Sequence, residues 1–263
     1  MKSIKYLFGL YLVGIVVISL VIDDSLIIYL PISLIVALIW YILYKNLKVE
    51  KSRFAKETHS TFLNINHNKG VRGEYLTYKE LEPLEKYGAK FLFNVYVPKS
   101  NGETTEIDSI MINSDGIFVL ESKNYSGTIY GNPEDSYWTH EIPTYGLKNR
   151  VEKFYNPIKQ NNAHIVHLAR YLNRKNVNYY SVLAFDDECV LGFDSRVVDN
   201  TYVIYRRELM DAVTAVARNN EAKLSPAEIE TIYNDLKPLT EVSRETKEKH
   251  IENIKKYKNT MLA

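Results

Sequence analysis

Glu121 and Lys123 flank Ser122, an acid and an amine two residues apart, and Asp108 lies in the run Glu106-Ile107-Asp108-Ser109-Ile110. Side chains alternate along a strand, so Glu121 and Lys123 project to the same face about 7 Å apart along the chain. Asp108 interrupts an apolar stretch, a placement that is costly unless the acid is used. Two carboxylates converging from neighbouring strands offer hard oxygen ligands suited to Mg²⁺ or Mn²⁺, which can take one or two carboxylates and keep several waters. Such an ion can bridge a phosphodiester, with Lys123 orienting a water or neutralising the developing charge. The plainer alternative is a surface ion pair between Glu121 and Lys123 with Asp108 at a strand end, since E-x-K is short and common.

The elements that must position these groups can be read from the pattern. Phe91 to Val97 is a strand-like apolar run closed by Pro98, with Asn101-Gly102 as a tight turn. Thr105 to Ile112 and Ile117 to Lys123 are two further strands joined by Asn113-Ser114-Asp115-Gly116, so an antiparallel meander is expected. Tyr75, Tyr78, Leu81 and Leu84 recur at helical spacing, predicting a first helix over Glu74 to Lys86. Gly127, Gly131, Pro133 and Trp138 mark a loop-rich stretch before Asn156-Pro157 opens a long helix running to about Arg174. Tyr180 to Phe185 and Thr201 to Tyr205 suit buried strands beside the meander, and Leu209 to Ala217 is helical. Ser225-Pro226-Ala227-Glu228 is a capping box that starts another helix. The charged tail after Thr240 reads as a solvated helix or as disordered.

Several of these segments together resemble one family. The carriers are Gly70-Val71-Arg72-Gly73-Glu74, the Asp108 run, Gly116 to Gly127 with its Glu121-Ser122-Lys123, the Gly131 and Trp138 pair, and Asn156-Pro157 with Gln160. They look like the nuclease-related domain (NERD) family over about Lys69 to Leu183. That family is similar to the PD-(D/E)xK nucleases with a restriction-endonuclease-like fold. The resemblance implies an α/β fold, a mixed sheet flanked by helices. It also implies Asp108 and Glu121 as metal ligands, Lys123 as the catalytic lysine, Glu74 as an additional acid and Gln160 as a polar helper. The stretch Glu134 to Lys153 matches least.

Two apolar runs precede this domain. Tyr6 to Ile22 and Leu26 to Tyr44 each approach the length that crosses a hydrocarbon core, separated by Asp23 and Asp24, which predicts a hairpin of two transmembrane helices. Lys2 and Lys5 precede the first run and Lys45, Lys48, Lys51, Arg53 and Lys56 follow the second, so both ends are expected on the cytoplasmic side. The expected organisation is therefore a hairpin over residues 1–45, a basic juxtamembrane linker over 46–66, a nuclease-like domain over 67–240 and a charged tail over 241–263. A multi-pass protein of the cell membrane follows, with the lipid bilayer and nucleic acid, DNA or RNA, as its partners.

Lys and Arg total 33 against 32 Asp and Glu, a formal charge of +1, so no global field draws the chain to polyanions. The single cysteine, Cys189, allows no internal disulfide and reads as a buried apolar side chain rather than a catalytic thiol. His164 and His167 lie three apart on the long helix, without a third ligand at metal spacing. Arg170, Arg174, Lys175, Lys148, Arg150 and Lys153 could line a phosphate path or simply be solvated charge. Trp138 reads as a packing anchor before a base-stacking ring. No phosphate-cradling glycine loop, zinc motif or serine-nucleophile elbow occurs, which leaves NTPase, zinc-enzyme and serine-hydrolase chemistry without support. The expected activity is a membrane-anchored, Mg²⁺-dependent phosphodiesterase acting on nucleic acid. The alternative is a catalytically silent module of the same fold, tethered to the membrane for docking nucleic acid or protein.

Overall fold

A computed structural model describes residues 29–262 apart from 145, 147, 175, 194–196, 199 and 222. The chain divides into two compact units, Met1–Arg53 and Phe54–Ala263. In the first, a helix α1 runs Tyr29–Glu50 and exposes Leu34, Ile35, Leu38, Ile39 and Trp40. Among the described residues no helix is long and apolar enough to cross a membrane. The expected first span, 6–22, and residues 26–28 of the second lie outside the described residues. The described apolar part of α1, from Tyr29 to Tyr44, would cover about 24 Å at 1.5 Å per residue.

The stretch 46–66, expected as a basic linker, contains helical turns. After α1 come α2 (Arg53–Thr58) and α3 (Phe62–His67), the latter capped by the Thr61 hydroxyl accepting from Asn64 N–H. The reason is local: no Gly or Pro occurs between Pro31 and Gly70 to stop helix growth. Helix α4 (Lys69–Leu81) starts before the expected Glu74, because the Asn68 side chain caps the Gly70 and Val71 amides. Pro83 then converts its continuation into a 3₁₀ turn, Glu82–Tyr87.

Strands β1 (Lys90–Pro98), β2 (Thr104–Asn113) and β3 (Gly116–Lys123) form the expected antiparallel meander. The next strands in chain order, β4 (Gly127–Tyr130), β5 (Tyr137–Ile142) and β6 (Arg150–Tyr155), leave this sheet. Helix α5 (Pro157–Leu172) returns the chain to β7 (Tyr179–Phe185), which pairs parallel to β3. After β8 (Cys189–Leu191) and β9 (Val197–Val198), β10 (Thr201–Tyr205) pairs parallel to β7. The main sheet therefore reads β1-β2-β3-β7-β10-β9. Strands β3 and β7 are near-continuous apolar runs because both of their faces are covered. Three more helices follow: α6 (Leu209–Asn219), α7 (Pro226–Leu236) behind the expected Ser225 capping box, and α8 (Arg244–Leu262).

One face of the main sheet carries a core in which Leu92, Val95, Ile110 and Val119 meet Leu168 of α5 and Ile229, Ile232 and Leu236 of α7. The opposite face packs Phe91 and Phe93 edge-on against Tyr78 of α4, with Phe54 among them. Helix α8 is docked in part rather than wholly solvated: His250 is buried against Tyr96 and Thr104.

A second sheet, β6-β5-β4-β8, occupies the stretch expected to be loop. Its strands are short and only one face is buried, with Ile129, Trp138, Cys189 and Leu191 packing on Leu183 and Phe185 of β7. Gly127 has φ 89°, and a Cβ there would lie 2.3 Å from the Glu141 carbonyl, so glycine is required at the corner where the chain changes sheet. Asn156 ties this sheet to α5. It is fully buried, accepts from Ile158 and Lys159 N–H as the helix N-cap, and donates to the carbonyls of Asn132, Pro133 and Asp135. Asn156→Ala removes the cap and the ties to three loop carbonyls, and is expected to destabilise the domain by about 1–3 kcal/mol in urea unfolding. A loss under about 0.5 kcal/mol would refute this role.

Candidate active site

The meander brings Asp108 opposite Glu121. The last paired residues of β2 and β3 are Ser109 and Leu120, so the next pair in register is Asp108 with Glu121, side chains on a shared face. The Asp108 carboxylate accepts from the Ser122 backbone N–H at 3.3 Å, which fixes it at the amide between Glu121 and Lys123. Lys123 Nζ donates to Glu121 Oε1 at 2.5 Å. The expected two-strand constellation is therefore one cluster.

A break in strand alternation makes room for Asp108. Ile110 and Ile112 lie in the α5-side core as alternation requires, yet Ile107 joins that core too, one residue out of step. In β1 the same reset separates Leu92 from Val95 and Val97. Between them Asn94 adopts φ 51°, in the left-handed region that Asn tolerates better than most residues. Both strands thus switch face at the Asn94–Asp108 position.

Helix α5 supplies the other wall. Gln160 Nε2 donates to Glu121 Oε1 at 2.9 Å. One turn on, His164 Nε2 lies 3.9 Å from Glu121 Oε2, while its Nδ1 is 2.8 Å from the Thr105 hydroxyl. Burial pushes the His164 imidazole down to about 4, against the opposing pull of Glu121, so the ring is neutral near pH 7. His164 joins Glu121 rather than forming a metal pair with His167. The spacing from Gln160 to His164 was visible in the sequence as a one-turn repeat on a single helix face.

Helix α4 supplies Glu74, pushed up to about 7 by burial and by repulsion from Glu106 and Glu121. Burial also holds Asp108 well above the usual carboxylate range, reinforced by Glu121 and Glu74 and opposed by Lys123 and the Ser122 N–H. Burial alone would lower the Lys123 pKa, but Glu121 and Asp108 outweigh it and raise it above the ordinary lysine value. Glu106 enters as a further acid at the rim, accepting from the Tyr96 hydroxyl at 2.7 Å with His250 Nε2 3.6 Å away. The cluster thus holds acidic groups in excess of its cationic ones.

Among the described residues, no three of His, Cys, Asp and Glu are gathered closely enough to enclose a metal ion. The donor set nevertheless suits a hard cation that needs few protein ligands: carboxylates whose ionisation burial and mutual repulsion oppose.

Other candidates fall outside this cluster. Cys189 is buried, and burial pushes its thiol up to about 11. Trp138 is buried and donates its indole N–H to the Asn132 carbonyl. Arg174 is engaged by Asp235, and Arg150 by Glu152.

Residues 69–186 match the sequence model of the nuclease-related domain family. The chain carries a nuclease-related domain. That domain runs from α4 through β7 and contains Glu74, Asp108, Glu121, Lys123 and Gln160. The chain is also similar to an uncharacterized protein of Bacillus anthracis, 29% identical over 186 residues that make up 71% of this chain and 84% of the relative. No solved structure shows significant similarity to it.

Glu74 ionises near 4.5 in the unfolded chain and near 7 in the folded one, so the folded state retains the proton between those values. Stability of the metal-free protein therefore falls as pH rises through that window. Glu74→Gln removes this loss and is expected to raise metal-free stability by about 1–3 kcal/mol at about pH 8 and to change little at about pH 4. A variant less stable than the parent at both pH values contradicts the assignment.

Proposed function

We propose that this chain is a membrane-tethered, divalent-metal-dependent phosphodiesterase acting on nucleic acid. The observation that carries the reading is Glu121, opposite Asp108 in register and held by Lys123 at 2.5 Å and Gln160 at 2.9 Å. In this reading Asp108 and Glu121 hold Mg²⁺ or Mn²⁺. When bound there, such an ion would supply Lewis-acid polarisation of a phosphoryl oxygen and a more acidic water. Lys123, kept protonated by its acidic neighbours, neutralises charge that develops on the phosphate. Gln160 fixes the Glu121 rotamer, leaving Oε2 for its other contacts. Glu74, close to half-ionised near neutral pH, takes up or gives a proton at the rim.

For tethering, the support is the apolar surface that α1 exposes together with the charge pattern, basic residues outside both apolar runs and only acids between them. The hairpin over 1–45, the nuclease-like domain over 67–240 and its cytoplasmic placement belong to this proposal. A silent docking module is the second reading. Its support is the Lys123 ammonium seated on Glu121, which supplies a positive charge where a cation would otherwise lie.

Cleavage of single- and double-stranded DNA and RNA is to be assayed with Mg²⁺ and with Mn²⁺. Lys123→Ala and Glu121→Ala are each expected to lower the rate by about 10²-fold or more, and chelation to abolish it. Metal-dependent cleavage that survives both substitutions would falsify the site. Absence of cleavage by the unsubstituted chain in every arm favours the docking module.

Alkaline carbonate washing is expected to leave the full chain in the membrane fraction and to release a chain lacking residues 1–45. Equal release of both would remove the tether from the proposal.

A further inference from the structure

The second sheet has one face against the core and the other open. Along β5 the buried Trp138 and His140 alternate with Tyr137 and Thr139, and Tyr137 pairs with Tyr155 of β6 across the ladder. Tyr130 of β4 pairs with Thr139, which in turn pairs with Lys153. Register and pleat therefore collect Tyr130, Tyr137, Tyr155, Thr139 and Lys153 on the open face, with Glu141, Val151 and Val190 toward its other end. The three tyrosines are 44%, 41% and 43% exposed, far more than packing anchors would be. Tyr137 and Tyr155 meet edge to face, with centroids 6.1 Å apart and planes at 80°, so neither ring closes flat over the other. Tyr130 stands one step diagonally away and forms a wall of a cavity of about 520 Å³ also lined by Trp138, Phe193 and Pro133.

We propose that this open face is a platform on which unpaired bases of a single-stranded nucleic acid stack, through Tyr130, Tyr137 and Tyr155, with Lys153 meeting the backbone. The kind of partner rests on the nuclease reading of the site; the face itself is independent of it. At the end of the face where the tyrosines gather, threonine and lysine lie between the rings and offer π-faces beside a position for a phosphate, while the exposed Val151 and Val190 lie at the other end. Duplex DNA hides its base faces in the stack, which leaves single strands, loops and ends as the matching ligands. Position supports the same partner. Tyr155 ends β6, and Gln160, which holds Glu121, follows within the first turn of α5, roughly 10 Å away along the chain. Gly127 opens β4 only four residues after Lys123. The platform is thus joined at both sides to residues of the candidate active site. With a formal charge of +1 and Lys153 offset by Glu141 on the same face, stacking rather than phosphate attraction must carry the binding, which predicts a shallow salt dependence.

The test is fluorescence anisotropy with the full chain in detergent micelles, in chelator, using labelled single-stranded DNA and RNA of about 20 nucleotides and a matched duplex. Each of Tyr130→Ala, Tyr137→Ala and Tyr155→Ala is expected to weaken single-strand binding about tenfold, the triple variant more, and Phe at the same positions to retain it. Duplex binding is expected to be weaker from the start and unchanged by these variants. Circular dichroism and the thermal midpoint check that the Ala variants are folded. Single-strand binding that the folded triple Ala variant retains overturns the platform, as does equal loss in the Phe variants. Light scattering that shows a dimer lost in the triple variant, with oligonucleotide binding intact, makes the face a contact between two copies and also overturns it. Chelator prevents metal-dependent cleavage, so the two ideas fail separately: binding through the tyrosines by a chain that never cuts leaves the platform and removes the nuclease.

Discussion

Carboxylates gathered in a low-dielectric pocket repel one another, and the rest of the domain is arranged so that they stay together. Asp108, Glu121 and Glu74 come from three different elements; Glu121 and Glu74 raise the cost of ionising Asp108, and Glu121 that of Glu74. Lys123 offsets part of this, the Ser122 amide offsets part, and Gln160 adds a neutral donor. A fold under selection for stability alone would replace such a cluster with apolar side chains. Its retention makes sense where excess negative charge has a use, and a divalent cation is the simplest partner for it.

The scaffold answers this repulsion with rigidity. Glu121 and Lys123 stand on β3, whose backbone pairs with β7 through both residues and with β2 as far as Leu120, where β2 diverges. That divergence, marked by the face switch at Asn94 and Asp108, lets one acid leave the apolar core without a gap in the ladder beyond it. Gln160 and His164 lie on a helix whose start is fixed by Asn156, so the polar wall facing Glu121 is aligned by a buried side chain in the second sheet's loop.

Much of this was legible in the residues. The meander, the long helix, the capping box at Ser225 and the acid-amine pair follow from alternation, turn chemistry and spacing, and β3 could be read as strand from its apolar run alone. The second sheet was not legible, because strands as short as Cys189–Leu191 and Gly127–Tyr130, separated by glycine and proline, carry too little period-two signal to stand apart from a loop. The helical turns of the linker were hidden by its charge, which says more about topology than about conformation. His164 was visible as a neighbour of Gln160 on the helix, but its direction toward Glu121 depends on β2 presenting Thr105 to the ring, a tertiary fact. Glu106 and His250 meet across a sequence separation that no local pattern can encode.

The long excursion between β3 and β7 also bears on how the molecule is made. Those two strands are adjacent and parallel, yet a second sheet and a full helix lie between them in the chain. During synthesis the hairpins holding Asp108, Glu121 and Lys123 emerge first, while Gln160, His164 and the flanking β7 arrive only after that insertion is complete. Until then Lys123 and the Ser122 N–H, on the same hairpin, are the donors at hand to offset the repulsion between Asp108 and Glu121. A chain that has emerged only as far as Asn156 therefore holds both acids and the amine, but neither the Gln160 donor nor the β7 backbone that pairs beside Glu121.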